Sequence, residues 1–280
     1  MLAQTLPAQA QTGPIVETAS GKVRGTLRDS IHSFKGILYG ASTGSKNRWL
    51  PPQPVPAWTG VRDALDYGPR APQNERPATE PHLAWIRDTR AYSEECLVIN
   101  VFTPGLGNHG DHKKRPVLVY IHGGGFVTGA GSAPGLDGHN FAKAGDVVLV
   151  TLNHRLNVFG HLSLAESGDA RYADAGNVGL LDVIAALQWV KQNIAQFGGD
   201  PANVSISGQS GGASKVAVLM AMPQAQGLFH KAIIQSASSL LRMACSNRRT
   251  PSAFRSRSAT SISPKASPVK VPIVTPCKIK

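Results

Sequence analysis

Val204-Ser-Ile-Ser-Gly-Gln-Ser210-Gly-Gly-Ala213 decides how this chain is read, because a β-branched run is interrupted by Gly-x-Ser-x-Gly. Gly208 and Gly212 leave room for a sharp bend from strand to helix, and such a bend lifts the Ser210 hydroxyl above the edge of a sheet. The next backbone N–H, that of Gly211, then lies at a helix N-terminus, where negative charge is favoured. A serine hydroxyl attacks only when a base takes its proton, and in strand-turn-helix sites the acid and the histidine follow the serine in the chain. The polypeptide runs seventy residues past Ser210.

Upstream, the pattern is one of alternating strands and helices. Val117-Leu-Val-Tyr-Ile121 and Val147-Val-Leu-Val-Thr151 are short apolar runs bounded by polar or glycine-rich turns, as buried parallel strands require. Between them and the serine, apolar residues recur at Leu180, Val183, Ile184, Leu187, Val190 and Ile194, the spacing of one helix face. Phe197-Gly-Gly-Asp-Pro201 stops that helix and turns the chain. A strand over 204–207, a helix from Ser210 to about residue 222 and a strand over 231–235 complete a β-α-β-α-β order. Right-handed crossovers lay such strands in one parallel sheet with helices on both faces. Nearer the N-terminus, Gly21-Lys-Val-Arg-Gly25 and Ser33-Phe-Lys-Gly-Ile37 predict a small β-meander, followed by proline-rich loops from Pro51 to Pro81. No internal repeat is present.

A second motif sits directly after the strand ending at Ile121. In His122-Gly-Gly-Gly-Phe126 consecutive glycines let the backbone approach a ligand closely, so the N–H groups of Gly124 and Gly125 can join that of Gly211 in stabilising an oxyanion. The order, glycine loop first and serine some ninety residues later, is that of acyl-transfer sites on such sheets.

Composition sets the outer bounds. The chain has 280 residues, 41% of them apolar, enough for one large α/β domain or for most of a bigger one. No stretch approaches the roughly 20 apolar residues of a membrane helix. Residues 1–10 end in a small-x-small pattern like a signal cleavage site but lack a basic start and an apolar run. Cys96, Cys245 and Cys277 are odd in number and widely spaced, which predicts reduced thiols rather than a disulfide framework or a zinc site. The net charge of +12 is unevenly distributed: residues 1–241 carry 20 basic and 17 acidic side chains, a net of +3, whereas 242–280 carry nine Lys or Arg and no Asp or Glu. That segment has neither helical nor strand periodicity and reads as disordered. Three readings of it stand open: an out-of-frame translation, a genuine basic tail, and a binder of nucleic acid or an anionic surface.

With these residues in view, the chain over about 14–241 resembles the type-B carboxylesterases, the α/β-hydrolase family that includes para-nitrobenzyl esterases and cholinesterases. The resemblance is carried by Phe34-Lys-Gly-Ile-Leu-Tyr-Gly40, Pro56-Ala-Trp-Thr-Gly-Val-Arg-Asp63, Ser93-Glu-Glu-Cys-Leu-Val-Ile-Asn-Val-Phe-Thr-Pro104, Asn153-His-Arg155, Gly176-Asn-Val-Gly-Leu-Leu-Asp182 and Gly227-Leu-Phe-His-Lys-Ala-Ile-Ile-Gln-Ser236. It implies an incomplete α/β-hydrolase fold, with a mainly parallel central sheet preceded by the meander and cut before the part that bears the acid and the histidine. It further implies Ser210 as nucleophile, Gly124, Gly125 and Gly211 as oxyanion donors, small esters as substrates, and neither cofactor nor metal. Structural ion pairs are implied between Arg48 and Glu94 and between Arg155 and Asp182.

The departures carry equal information. Ala71 stands where many relatives have a cysteine, which leaves Cys96 as a buried free thiol. Gln209 stands where relatives often have glutamate. The family's acid lies roughly a hundred residues beyond the serine, and its histidine about a hundred further, past Lys280 in both cases. None of the nine histidines (His32, His82, His109, His112, His122, His139, His154, His161, His230) substitutes by position: His122 reads as loop support, His230, His154 and His161 as packing. Asp200 reads as turn punctuation before Pro201. The expectation is therefore a carboxylesterase by descent, represented by its N-terminal half and inert alone. A non-catalytic binding relative and a basic-tail nucleic-acid binder are the alternatives.

Overall fold

The computed structural model of the chain describes residues 13–75, 81–107 and 113–237. The segment 242–280 with its three readings, Cys245, Cys277, His109 and His112 lie outside them, as does the side chain of His82. The described strands are β1 (Ile15–Thr18), β2 (Gly21–Arg24), β3 (Thr26–Arg28), β4 (Ile31–Leu38), β5 (Val61–Asp63), β6 (Val98–Thr103), β7 (Arg115–Ile121), β8 (Val148–Leu152), β9 (Gly199–Gln209) and β10 (Lys231–Gln235). The α-helices are α1 (His139–Gly145), α2 (Asn157–His161), α3 (Val178–Asn193) and α4 (Gly211–Leu219).

Seven strands form the main sheet in the order β10-β9-β7-β8-β6-β4-β3. The first four run parallel and the last three join antiparallel, so the sheet is mixed. The expected meander is divided between two sheets. β1 and β2 pair antiparallel and take up β5 in a separate three-stranded sheet, while β3 and β4 extend the main one. Two strands carry no alternation that sequence could display. All six residues of β6 are buried, and all three of β5, inside the proline-rich stretch, are exposed.

Helices cover both faces. Phe102, Leu149, Ile31 and Ala142 of α1 form a small cluster on one side, whereas α3 and α4 contribute Val183, Leu187, Val216 and Leu219 to the large cluster with Val101, Val119, Val150 and Ile206. The one-faced pattern predicted for α3 understates its burial. Gly179, Asp182, Ala186 and Trp189 are also buried, because the segment after β8 packs on its other side. Asp200 and Pro201 punctuate β9 as an irregularity rather than end it. Ala202 N–H donates to Asp200 Oδ1 at 2.9 Å, and the β9–β7 register jumps between Gly199 and Val204.

Both ion pairs are present. Arg48 Nε lies 2.7 Å from Glu94 Oε2, and Arg155 holds Asp182 through Nη2–Oδ1 at 2.6 Å and Nε–Oδ2 at 2.9 Å. Cys96 is a buried free thiol whose ionisation is pushed up, first by burial and then by the nearby Asp182 charge. No helix among the described residues is long and apolar enough to cross a membrane.

Candidate functional site

β7 and β9 are adjacent parallel strands, so their C-terminal ends deliver the glycine loop and Ser210 to the same rim of the sheet. Ser210 itself has φ 55° and ψ −122°, a conformation that side chains rarely adopt and that the surrounding structure must hold in place. It is held from both sides. Its N–H donates to Gln235 O at 2.9 Å, and its carbonyl accepts the Ser214 N–H at 3.0 Å as α4 begins.

Gly-x-Ser-x-Gly is demanded here by backbone crowding. A Cβ on Gly212 would lie 2.1 Å from Ile121 O and 2.8 Å from His122 O, and one on Gly208 would lie 2.4 Å from Gly212 C. Gly212→Ala therefore drives a methyl into the end of β7, with an expected loss of about 3 kcal/mol and a displaced glycine loop. Urea unfolding of the variant against the parent checks this, and an unchanged midpoint would contradict the packing.

The loop itself is fixed by distant residues. Gln73 receives the Gly129 N–H at 2.8 Å and donates to Gly129 O at 2.9 Å, while Asn157 N–H donates to Phe126 O at 2.7 Å. Gly124 and Gly125 take φ of 95° and 67°, and the Gly124 carbonyl accepts Thr128 N–H at 3.1 Å. Gly125 and Gly211 are in backbone contact, since a Cβ on Gly211 would meet Gly125 O at 2.1 Å. The N–H groups of Gly124, Gly125 and Gly211 donate to no acceptor among the described residues. Gly125 and Gly211 lie backbone to backbone next to the strained serine.

Proton-transfer groups are not gathered with them. No imidazole or carboxylate among the described residues hydrogen-bonds to Ser210 Oγ. His122 lies with Nδ1 2.9 Å from Gly123 O and stacks on His154 with ring centroids 4.7 Å apart. Burial, with the charge of Lys215 second, pushes the proton affinity of His122 down to about 3. Both causes act the same way on His161, which falls to about 4, and on His154, held well below the usual histidine range. His230 accepts the Val204 N–H at 3.2 Å, six residues of strand and so roughly 20 Å from Ser210. A shallow, partly open pocket lies beside the loop, lined by Trp85, Ile86, Tyr120, His122, Gly124 and Gln209 among others; Ser210 is not in its wall. No group of three His, Cys, Asp or Glu among the described residues is placed to hold a metal ion.

Sequence reading passed over three residues that shape this site: Gln73, Asn157 and Lys215. The Lys215 Nζ donates to Gly125 O at 2.8 Å from within the body of α4. The available signal was a lysine in the small and apolar run Ala213-Ser-Lys-Val-Ala-Val-Leu219.

The fold and the elbow define an α/β sheet protein with a strained serine at the C-terminal rim of its parallel strands. The chain belongs to the carboxylesterase family, whose model matches residues 12–269, a span that continues beyond residue 241. It is 46% identical over 228 residues to the para-nitrobenzyl esterase of Bacillus subtilis (strain 168), covering 81% of this chain and 44% of that protein. It is also 43% identical over 225 residues to the phenmedipham hydrolase of Pseudarthrobacter oxydans, covering 80% and 43%. Among solved structures, a carboxylesterase of Geobacillus stearothermophilus superposes with a TM-score of 0.70 at 48% identity, over 78% of this chain and 42% of that one. The chain spans less than half the length of these relatives, whose common architecture is the α/β-hydrolase fold.

Proposed function

We propose that Ser210 is the nucleophile of a carboxylic-ester hydrolase site and that the N–H groups of Gly124, Gly125 and Gly211 form its oxyanion hole. The observation that carries this reading is the strained Ser210 backbone standing beside three unclaimed N–H donors. Attack of Oγ on an ester carbonyl, with its proton taken by a base, would give a tetrahedral oxyanion held by those donors; collapse would return that proton to the leaving oxygen, expel the alcohol and leave an acyl-serine for water to cleave to the acid and free serine. The substrate class is small esters. An elbow kept under strain also favours chemistry over a purely binding role.

By this reading the described residues hold the attacking and stabilising half of the machinery, with no imidazole or carboxylate on Ser210 Oγ. Of the residues outside them, 1–12 and 238–280 contain no His, Asp or Glu, while Glu80, His109, Asp111 and His112 fall in 76–80 and 108–112. A general base contributes about 10²–10⁴ in rate, so this polypeptide alone is inert on the scale of a complete site. Hydrolysis of a chromogenic short-chain ester by the purified chain is expected to stay within about tenfold of a Ser210→Ala control. Turnover far above that control would show that a base does reach Ser210.

A further inference from the structure

Lys215 is wholly buried, and no carboxylate pairs with it among the described residues. Isolating an ammonium in this way is costly, so its contacts define what it does there. Its Nζ donates to Gly125 O at 2.8 Å and approaches Gly211 O at 3.5 Å, and it lies 4.5 Å from the centroid of the Phe126 ring. Those two carbonyls belong to Gly125 and Gly211, 86 positions apart in the chain, whose backbones touch next to Ser210. One side chain therefore ties the glycine loop to the first turn of α4.

The groups facing Lys215 can neither neutralise it nor compete for the carbonyls. His122 at the end of β7, His154 after β8 and His161 in α2 are held neutral, each with Nε2 buried and unpartnered. The Asp182 carboxylate of α3 is taken up by Arg155, and Lys191 of α3 donates to Gly227 O. The charged residues of β9 and β10, Asp200 and Lys231, sit at the strand ends remote from the elbow.

We infer that Lys215 is a positioning residue: its Nζ donors fix the carbonyls of Gly125 and Gly211 and so set the backbone that carries the N–H groups of Gly124, Gly125 and Gly211. This rests on the oxyanion-hole reading for its catalytic meaning, but not for the tether itself. Burial brings the proton affinity of Lys215 down to about 7, so a loop opening that solvates the amine takes up a proton above that pH, and the closed loop gains as pH rises.

The test uses the whole chain with lysine labelled at ¹³Cε, together with amide exchange of segment 122–128 corrected for intrinsic rates, from pH 6 to pH 9. A single lysine is expected to titrate near neutrality, with loop protection rising about tenfold or more from that midpoint to pH 9. Lys215→Met is expected to remove that titration and the pH dependence and to give low loop protection at both ends of the range. Loop protection that ignores pH, or a Lys215→Met chain as protected as the parent at pH 9, would overturn the inference. Should Lys215→Met fail to fold, the parent alone decides, by whether the rise in loop protection begins at the lysine's midpoint. Ser210→Ala is expected to leave the titration intact, so failure of the hydrolase reading and failure of the tether are read separately.

Discussion

Asp182→Ala is expected to leave little folded protein. The carboxylate accepts three hydrogen bonds from Arg155, at 2.6 Å from Nη2, 2.9 Å from Nε and 3.0 Å from the backbone N–H. The remaining Arg155 nitrogen, Nη1, donates to Leu50 O at 2.8 Å. Asp182 is 0% and Arg155 2% exposed, so removing the acid strands a guanidinium in the core, at a cost of about 3–5 kcal/mol. That is a large part of the roughly 5–15 kcal/mol that holds a domain together. The damage reaches the site, because Asn157, two residues from Arg155, holds Phe126 O. Replacing both partners, Arg155→Met with Asp182→Leu, is expected to recover most of the loss, since no charge is left unpaired. Urea midpoints of the parent, single and double variants measure this, and a single variant as stable as the parent would contradict the pair's role.

Acid is expected to unfold the chain well above the pH at which carboxylates titrate. The folded-state proton affinities of His122, His154 and His161 all lie below the unfolded histidine value near 6.5, at about 3, well below the usual range, and about 4. Between those limits the unfolded chain binds protons that the folded chain refuses, so stability falls as pH falls. Each group costs about 1.4 kcal/mol per pH unit, so at pH 5 His122 and His161 remove roughly 4 kcal/mol between them, and His154 acts in the same direction. Lys215 adds nothing in this window. Its folded affinity is also lowered, to about 7, so its slope lies at alkaline pH, between that value and 10.5. Denaturant unfolding at stepped pH is expected to show uptake of nearly three protons below pH 6, and uptake of one fewer in His161→Gln. A flat profile from pH 7 to pH 5 would mean that these imidazoles are charged or exposed in the folded chain.

What the sequence disclosed and what it hid follow from one distinction. The elbow and the glycine loop were legible because their glycines mark backbone contacts that no other residue tolerates, and such punctuation is local. The parallel strands 117–121 and 204–207 announced themselves as short apolar runs. β6 did not, because a strand buried on both faces has no period, and Val98-Ile-Asn-Val-Phe-Thr103 reads equally as core of any kind. The meander's division between two sheets depends on β5 crossing to pair with β2, a long-range choice invisible in either segment. Lys215 was missed for the same reason. A lysine on a helix is ordinarily solvated, and only the fold shows its Nζ enclosed beneath Phe126 and the loop. From sequence His122 reads as loop support and His154 and His161 as packing, and only tertiary structure collects them around that charge.

The account turns on the proposal that Ser210 is geometrically poised for attack and that no base among the described residues activates it. Intact-mass kinetics of fluorophosphonate labelling, with Ser210→Ala as control and with added imidazole as an external base, address this directly. The expected result is labelling of the chain near the control rate without imidazole, and a rise with imidazole concentration whose adduct maps to Ser210. Rapid labelling of Ser210 with no added base would contradict the account, and so would an imidazole-driven adduct that forms equally in the Ser210→Ala chain.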